Sequence, residues 1–170
     1  MENHTGLPHT LQRRTILALN ELGQTVTASL RLEEVFARVL GEVTALLKAD
    51  GAAILLPEDE RLVFAAVGGR GAMQLKGAGM PRNTGVGGYI MATGEAVWVN
   101  DNDSSAPNLK VYPLADTLTG FHAASLLAAP LRQGGETIGV LQAAHHDVDG
   151  LLPDDLPVLA AAANWASIAI

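Results

Sequence analysis

Apolar positions along the chain recur first with a helical period, then with a strand period, and at the end with a helical period again. Leu11, Ala18, Leu19, Leu22, Val26 and Leu30 fall at spacings of three, four and seven, which predicts a helix over 10–30 with a narrow apolar stripe. So narrow a stripe suits packing against one partner helix, and a helix flanking a core accounts for it equally well. Leu32–Lys48 carries a wider stripe (Val35, Phe36, Val39, Leu40, Val43, Leu46, Leu47), with Glu33 and Glu34 in the first turn where the helix dipole favours them. Gly51–Leu56 and Leu62–Val67 are short apolar runs on either side of Pro57 and the charged turn 58–61, and they predict a hairpin. The glycine-rich stretch 68–83 predicts no more than a turn of helix around Met73-Gln74-Leu75. A short helix then opens at Thr84-Gly85 and is stopped by Gly94, and Ala96–Asn100 reads as a strand. A long polar and mixed stretch follows, with a short helix over 111–118 that takes Pro113 in its first turn. Ser125–Arg132 and Glu136–His145 form a second hairpin around Gln133-Gly134-Gly135. The last helix spans 154–170, with Asp154 as N-cap so that Pro157 falls in the first turn and breaks no ladder bond.

Composition narrows the possible functions. A chain of 170 residues implies one domain, and with aromatics at 4% its core must be built from Ala, Val, Leu and Ile. A net charge of −7 with no cluster denser than Arg13-Arg14 argues against nucleic acid and anionic membrane as partners. The absence of cysteine excludes a disulfide, a thiolate metal site, a thiol nucleophile and a thioether-linked cofactor. No run is long enough to span a membrane and no signal-peptide core is present, so a cytoplasmic protein is expected. Residues 1–9, polar with Gly6 and Pro8, are expected to be a disordered start. The last helix stops in the middle of its apolar pattern, which predicts that it continues into a further domain or docks on a partner.

Candidate chemistry is sparse. Gly85-Val86-Gly87 lacks the third glycine and the preceding strand of a dinucleotide fingerprint, and no phosphate loop ending in Gly-Lys-Ser/Thr occurs. Asp101-Asn102-Asp103 begins like a calcium loop, but Ala106 and Tyr112 stand where the glycine and glutamate are required. His145 and His146 are neighbours on a strand, where adjacent side chains point to opposite faces, so no metal site is expected from them. Ser125, His122 and Asp116 could form a nucleophilic set on paper, yet no nucleophile elbow fixes them, and an enzyme is not expected.

Several stretches are similar to the GAF domain, a ligand-binding sensor module of signalling proteins. Leu30-Arg31-Leu32-Glu33-Glu34-Val35 resembles that family's entry to its second helix. Gly85-Val86-Gly87-Gly88-Tyr89, with Thr93-Gly94-Glu95-Ala96-Val97-Trp98-Val99-Asn100-Asp101, resembles its central signature. The runs 119–131 and 136–142 resemble the strand pair that follows. The resemblance implies an α+β fold over 10–170. An antiparallel sheet of five or six strands would carry the terminal helices on one face and a covered ligand pocket on the other. It also implies a homodimer through the terminal helices and a downstream kinase, cyclase or transcriptional output, as in two-component signalling. Subtypes can be set aside by departures from the pattern. Relatives that bind cyclic nucleotides carry Asn-Lys after the last strand, then Phe and, three residues on, Asp; here His145-His146 and Leu151 occupy those places and Asp155 alone is kept. Bilin-binding relatives and those that reduce free methionine sulfoxide need cysteine. A non-covalent haem sensor is kept as a lesser alternative, with His122 as the residue that would hold the iron.

The expectation is therefore a small, apolar or mixed ligand beneath the segment 101–121, with no cofactor. Its walls would be Val97, Val99, Tyr112, Leu114, Leu118, Phe121, Leu127 and Gln142, and its polar contacts Asp101, Asn102 and Ser125. The alternative is a dimerisation and signal-relay module whose pocket is empty.

Overall fold

Both predicted hairpins form, and they join two further strands in one antiparallel sheet. The structure, a computed structural model, describes residues 9–101 and 113–170. In chain order the elements are α1 (His9–Leu47), β1 (Gly51–Glu58), β2 (Arg61–Gly69), α2 (Ala72–Leu75), β3 (Gly79–Pro81), α3 (Gly85–Thr93), β4 (Val97–Asn100), α4 (Pro113–Thr119), β5 (Ser125–Gln133), β6 (Glu136–His145) and α5 (Leu156–Ile168). The six strands lie in the order β3-β2-β1-β6-β5-β4, and all neighbours are antiparallel. The fold is α+β. Among the described residues, no helix is long and apolar enough to cross a membrane.

Most strand and helix ends move by one or two residues from the sequence expectation, and a short strand, β3, forms within 68–83, where only a turn of helix was expected. The disordered start expected over 1–9 lies outside the described residues except for His9, the first residue of α1. The two helices expected over 10–48 are one continuous helix, because neither glycine nor proline separates Leu30 from Leu32. At the other end Asp155, not Asp154, takes the N-cap position of α5 after a 3-10 turn at Pro153–Asp155; Pro157 still falls in the first turn.

Residues through Glu34 form one compact unit and Val35–Ile170 a second. In the first unit Leu19, Leu22, Val26 and Leu30 are exposed along one stripe of α1. In the second unit the sheet has two differently filled faces. One face is sealed by Phe36, Leu40, Val43 and Leu47 of α1 and by Leu159, Ala163 and Ala166 of α5, all buried. Leu40 lies so close to Gly68 of β2 that a Cβ there would sit 3.1 Å from its own Cβ. The opposite face carries Leu55, Leu62 and Phe64, packed with Leu75 of α2, Met80 of β3 and Val86 and Ile90 of α3.

Glycine sets one close approach and one helix end on that second face. In α3 a side chain at Gly88 would meet the Asn83 carbonyl carbon at 2.6 Å, so the helix can cross the preceding turn only without a Cβ there. Gly94 ends the helix at φ 67°, its N–H bonded to the Ile90 carbonyl at 2.8 Å. The segment between β6 and α5 is tied to β4 and β5 by side chains. Trp98 Nε1 donates to the Leu151 carbonyl at 2.7 Å. Asn100 exchanges two bonds with Asp149, through its Nδ2 to Oδ1 at 2.9 Å and from the Asp149 N–H to its Oδ1 at 3.0 Å.

Candidate ligand site

A chamber opens between the sheet and its cover on the face away from α5. Its floor comes from Ala53 of β1, Leu126 of β5, and Gln142 and Ala144 of β6. The pairing places Leu126 opposite Ala144 and Ala128 opposite Gln142, so these side chains share one face. Phe64 and Val67 of β2 complete the floor although they are three residues apart, a spacing that alternation alone would put on opposite faces. The cause is an irregularity in the β1–β2 ladder: Ile54 pairs with Ala66 and Leu55 with Phe64, so Ala65 is extra and the alternation restarts.

The cover is α4 and the turn after it. Ala115, Asp116 and Thr119 of α4, then Phe121 and Ala123, face the chamber, with Leu75 of α2 beside them. Helix α4 is closed by Gly120 at φ 64°, whose N–H reaches the Asp116 carbonyl at 2.9 Å. The Thr119 hydroxyl donates to the Ala115 carbonyl at 2.7 Å and accepts the Phe121 N–H at 3.1 Å, which turns the chain back toward the sheet. Gly71, just before α2, abuts α4, and a Cβ there would come within 2.6 Å of Thr119 Cγ2.

The main lobe has a volume of about 60 Å³, and a smaller one of about 20 Å³ reaches toward Met80 and Val86. A drug-sized ligand occupies about 300 Å³ or more, so the cavity as it stands holds only a few heavy atoms. Its walls are mostly apolar, with four polar side chains, Arg70, Asp116, Thr119 and Gln142. The Arg70 guanidinium lies over the Phe121 ring, its Cζ 5.0 Å from the centroid.

Charge concentrates at the edge of the cover. His122 bridges two carboxylates, with Nδ1 2.6 Å from Asp116 Oδ2 and Nε2 2.7 Å from Asp101 Oδ2. The bond to Asp116, then the one to Asp101, raises the His122 pKa above its ordinary value. Asp116 thereby links the ion-pair cluster to the chamber. Its Oδ1 is buried and, among the described residues, has no hydrogen-bond partner.

The expected wall residues divide into groups. Phe121 and Gln142 line the chamber. Val97 and Val99 are half-buried and pack against the core cluster on the same side. Leu127 does not line it: this residue alternates with Leu126, is fully buried and faces the other side of the sheet. Leu118 is 40% exposed. Asp101 is exposed and engaged with His122. Ser125 is buried, its hydroxyl donating to the Asp147 carbonyl at 2.9 Å and accepting the Leu151 N–H at 3.0 Å, so it anchors the segment before α5. Asn102, Tyr112 and the side chain of Leu114 lie outside the described residues. Among the lining residues the sequence reading missed are Phe64, Val67, Arg70, Ala115, Asp116, Thr119, Leu126 and Ala144; the runs 51–56 and 62–67 are unbroken apolar stretches, so no alternation marked which of their residues would face the chamber.

Two chemistries weighed from the sequence do not fit this geometry. Ser125 and His122 bond to different partners, so no nucleophile–base pair is assembled. Both His122 nitrogens are held by carboxylates, which leaves neither free for an iron, and a cavity of about 60 Å³ is far too small for a macrocycle. The adjacent histidines also depart from expectation. His145 ends β6 and His146 lies beyond it, and their rings stack at 4.7 Å and 15° instead of pointing apart.

The sequence model of the GAF domain matches residues 31–170. No match occurs among curated proteins. Solved structures share the fold at low identity. The GAF domain of a phosphoenolpyruvate-protein phosphotransferase (ptsP) from Coxiella burnetii is 19% identical, covers 90% of this chain and 90% of its own, and has a TM-score of 0.69. The GAF-B domain of DevS from Mycobacterium smegmatis is 20% identical over 81% of this chain and 91% of its own, with a TM-score of 0.62. A type II free methionine-R-sulfoxide reductase from Thermoplasma acidophilum is 15% identical over 84% of this chain and 94% of its own, with a TM-score of 0.67.

Proposed function

Because the chain belongs to the GAF domain family, whose members are generally regulatory modules of signalling proteins, we propose that it is a non-enzymatic sensor. In this reading a small ligand occupies the chamber, and its occupancy is relayed through a helical homodimer to a kinase, cyclase or transcriptional output domain. The observation that carries the reading is Asp116. Asp116 lines the chamber and its buried Oδ1 has no partner among the described residues; an acceptor left so costs about 1–3 kcal/mol, which a ligand bringing an N–H or O–H donor to it would remove. Arg70 and Gln142 offer a second polar handle on an otherwise apolar wall. The ligand is then a small molecule with a donor at one end and an apolar body. Activity of the kind named for the Thermoplasma reductase is not carried over, since a chain without cysteine has no thiol chemistry.

Support for the dimer comes from the outer surface of the second unit. Leu46 of α1 and Val158 and Trp165 of α5 line an apolar groove, and Trp165 is 74% exposed. A relay module with an empty chamber is the second reading, favoured by the small cavity volume. A thermal-shift screen against a metabolite panel separates the two. A compound that raises the Tm of the wild type, but not of Ala144→Val with its narrowed chamber, supports sensing; no stabilising compound at millimolar concentration favours the empty relay. Sedimentation of Trp165→Glu tests the dimer: the wild type should run as a dimer and the variant as a monomer, and a monomeric wild type removes the relay.

A further inference from the structure

The stacked histidines lie outside the chamber, and the sensing reading does not use them. We propose that Asp50, His145 and His146 form a binding site for a divalent transition-metal ion of the zinc class, placed at the rim of the chamber. This inference goes beyond the sensing reading and does not rest on it.

Placement comes first. Asp50 lies just before β1, where its N–H donates to the Ala144 carbonyl at 2.9 Å and its carbonyl accepts the Arg70 N–H at 2.8 Å. His145 is the last residue of β6, paired with Ser125 of β5, and its carbonyl accepts the Ala124 N–H at 3.0 Å. Two of the three donors are thus fixed by the sheet rather than by a loop, which is the support a metal site needs. The third follows from the chain leaving the strand at His146, which swings that ring onto the His145 side. One ligand atom of each residue then lies within 4.8 Å of the others. Asp50 Oδ2 is 2.7 Å from His146 Nδ1 and 3.8 Å from His145 Nδ1.

The donor set defines the ion. Two imidazole nitrogens and one carboxylate oxygen suit zinc and its neighbours, whereas magnesium and calcium prefer oxygen alone. Three protein ligands leave a coordination position for water or an outside ligand. The surroundings also fix the tautomers. The Asp147 N–H donates to His145 Nδ1 at 3.0 Å, so that nitrogen carries a lone pair and the ring proton sits on Nε2. His146 Nε2 is 3.3 Å from Asp147 Oδ1, so when Nδ1 binds an ion the remaining ring proton faces a carboxylate. That is the outer-sphere arrangement that orients metal-bound histidines.

Occupancy requires three adjustments, the first at Asp50, whose Oδ2 accepts the His146 N–H at 2.8 Å as well as meeting its ring and must turn toward the ion. The parallel rings must open, and His146, whose side chain is 51% exposed, is the one with room to turn. The Asp147 N–H must also leave His145 Nδ1. The charge balance permits a cation, with Asp50 and Asp147 facing the group and Arg70 the opposing charge. The proton that His146 Nδ1 shares with Asp50 departs as the ion arrives, so binding releases protons and weakens in acid. The His146 ring meets the edge of Phe121, with centroids 6.5 Å apart, and Phe121 also lines the chamber, which is what puts the ion at its rim.

The test uses the full chain without a histidine tag, stripped with chelator and titrated with Zn²⁺ by calorimetry and with Co²⁺ by absorption. One ion per chain is expected, with ligand-field bands for Co²⁺ and Kd rising as pH falls. Asp147→Asn should weaken binding about tenfold, the effect of losing an outer-sphere partner. His145→Gln and His146→Gln should each weaken it more, with melting curves confirming that the variants fold. No saturable binding overturns the site, as does wild-type affinity in the His145→Gln/His146→Gln double variant. Chamber-ligand stabilisation that persists in the double variant leaves the sensing reading standing, so the two inferences fail separately.

Discussion

Leu126 and Leu127 are neighbours in β5, at 3% and 0% exposure, and they serve opposite sides of the sheet. Leu127 faces the side covered by α5 and the second half of α1, where Leu40, Ile54, Leu141 and Leu159 are buried around it. Leu126 faces the chamber, where alanines at 53, 115, 123 and 144 leave an unfilled volume of about 60 Å³. Equal burial therefore does not mean equal packing. The first face is filled, and the second keeps a hollow lined in part by the polar residues Arg70, Asp116, Thr119 and Gln142, at some cost in stability.

Substitutions at paired positions put this contrast to the test. The largest effect is expected from Leu127→Ala, which opens a void in the filled layer and should cost about 3–5 kcal/mol in urea unfolding. Leu126→Ala should cost about 2 kcal/mol, near the lower limit for a buried leucine, because it already borders open space. Equal losses at the two positions would break the comparison.

Insertion reverses the logic and gives the next effect. Ala143 is fully buried on the filled face, so Ala143→Val should overpack it and cost about 1–3 kcal/mol. Ala144→Val points into the chamber and should change stability by less than about 1 kcal/mol, with either sign. A large loss at 144 would break the contrast between the filled and the hollow face.

The smallest effect concerns the clamp at the edge of the cover. His122 holds Asp116 and Asp101 together, and its pKa is raised in the folded state. Its contribution is thus fully present below the ordinary value of 6.5 and disappears as pH rises through the raised folded value. With the side chain 57% exposed, solvent screening keeps that contribution below about 1 kcal/mol. The stability difference between wild type and His122→Gln should therefore shrink as pH rises from 6.5, and a difference that grows with pH would refute the clamp.

Periodicity and breakers determined a good deal by themselves. Short apolar runs around polar turns set the hairpins 51–67 and 125–145, glycines bounded α3, and the proline at 157 fell in a first turn, because each of these features depends on a few adjacent residues. The order of those elements, with the motifs between them, was enough to indicate the family. What only the tertiary structure decided is which side of the sheet each strand residue faces and how much space remains there. The sequence reading placed Leu127 in the chamber wall, one residue from the side chain that lines it, because alternation has a period but no origin until the strand is paired. The extra residue Ala65 resets that alternation and brings Phe64 and Val67 to one face, and nothing local marks it. His145 and His146 converge on Asp50 because the strand ends between them, while Asp50 is drawn from 96 residues away. Contacts at that separation come from the pairing of whole strands, which no single window of sequence contains.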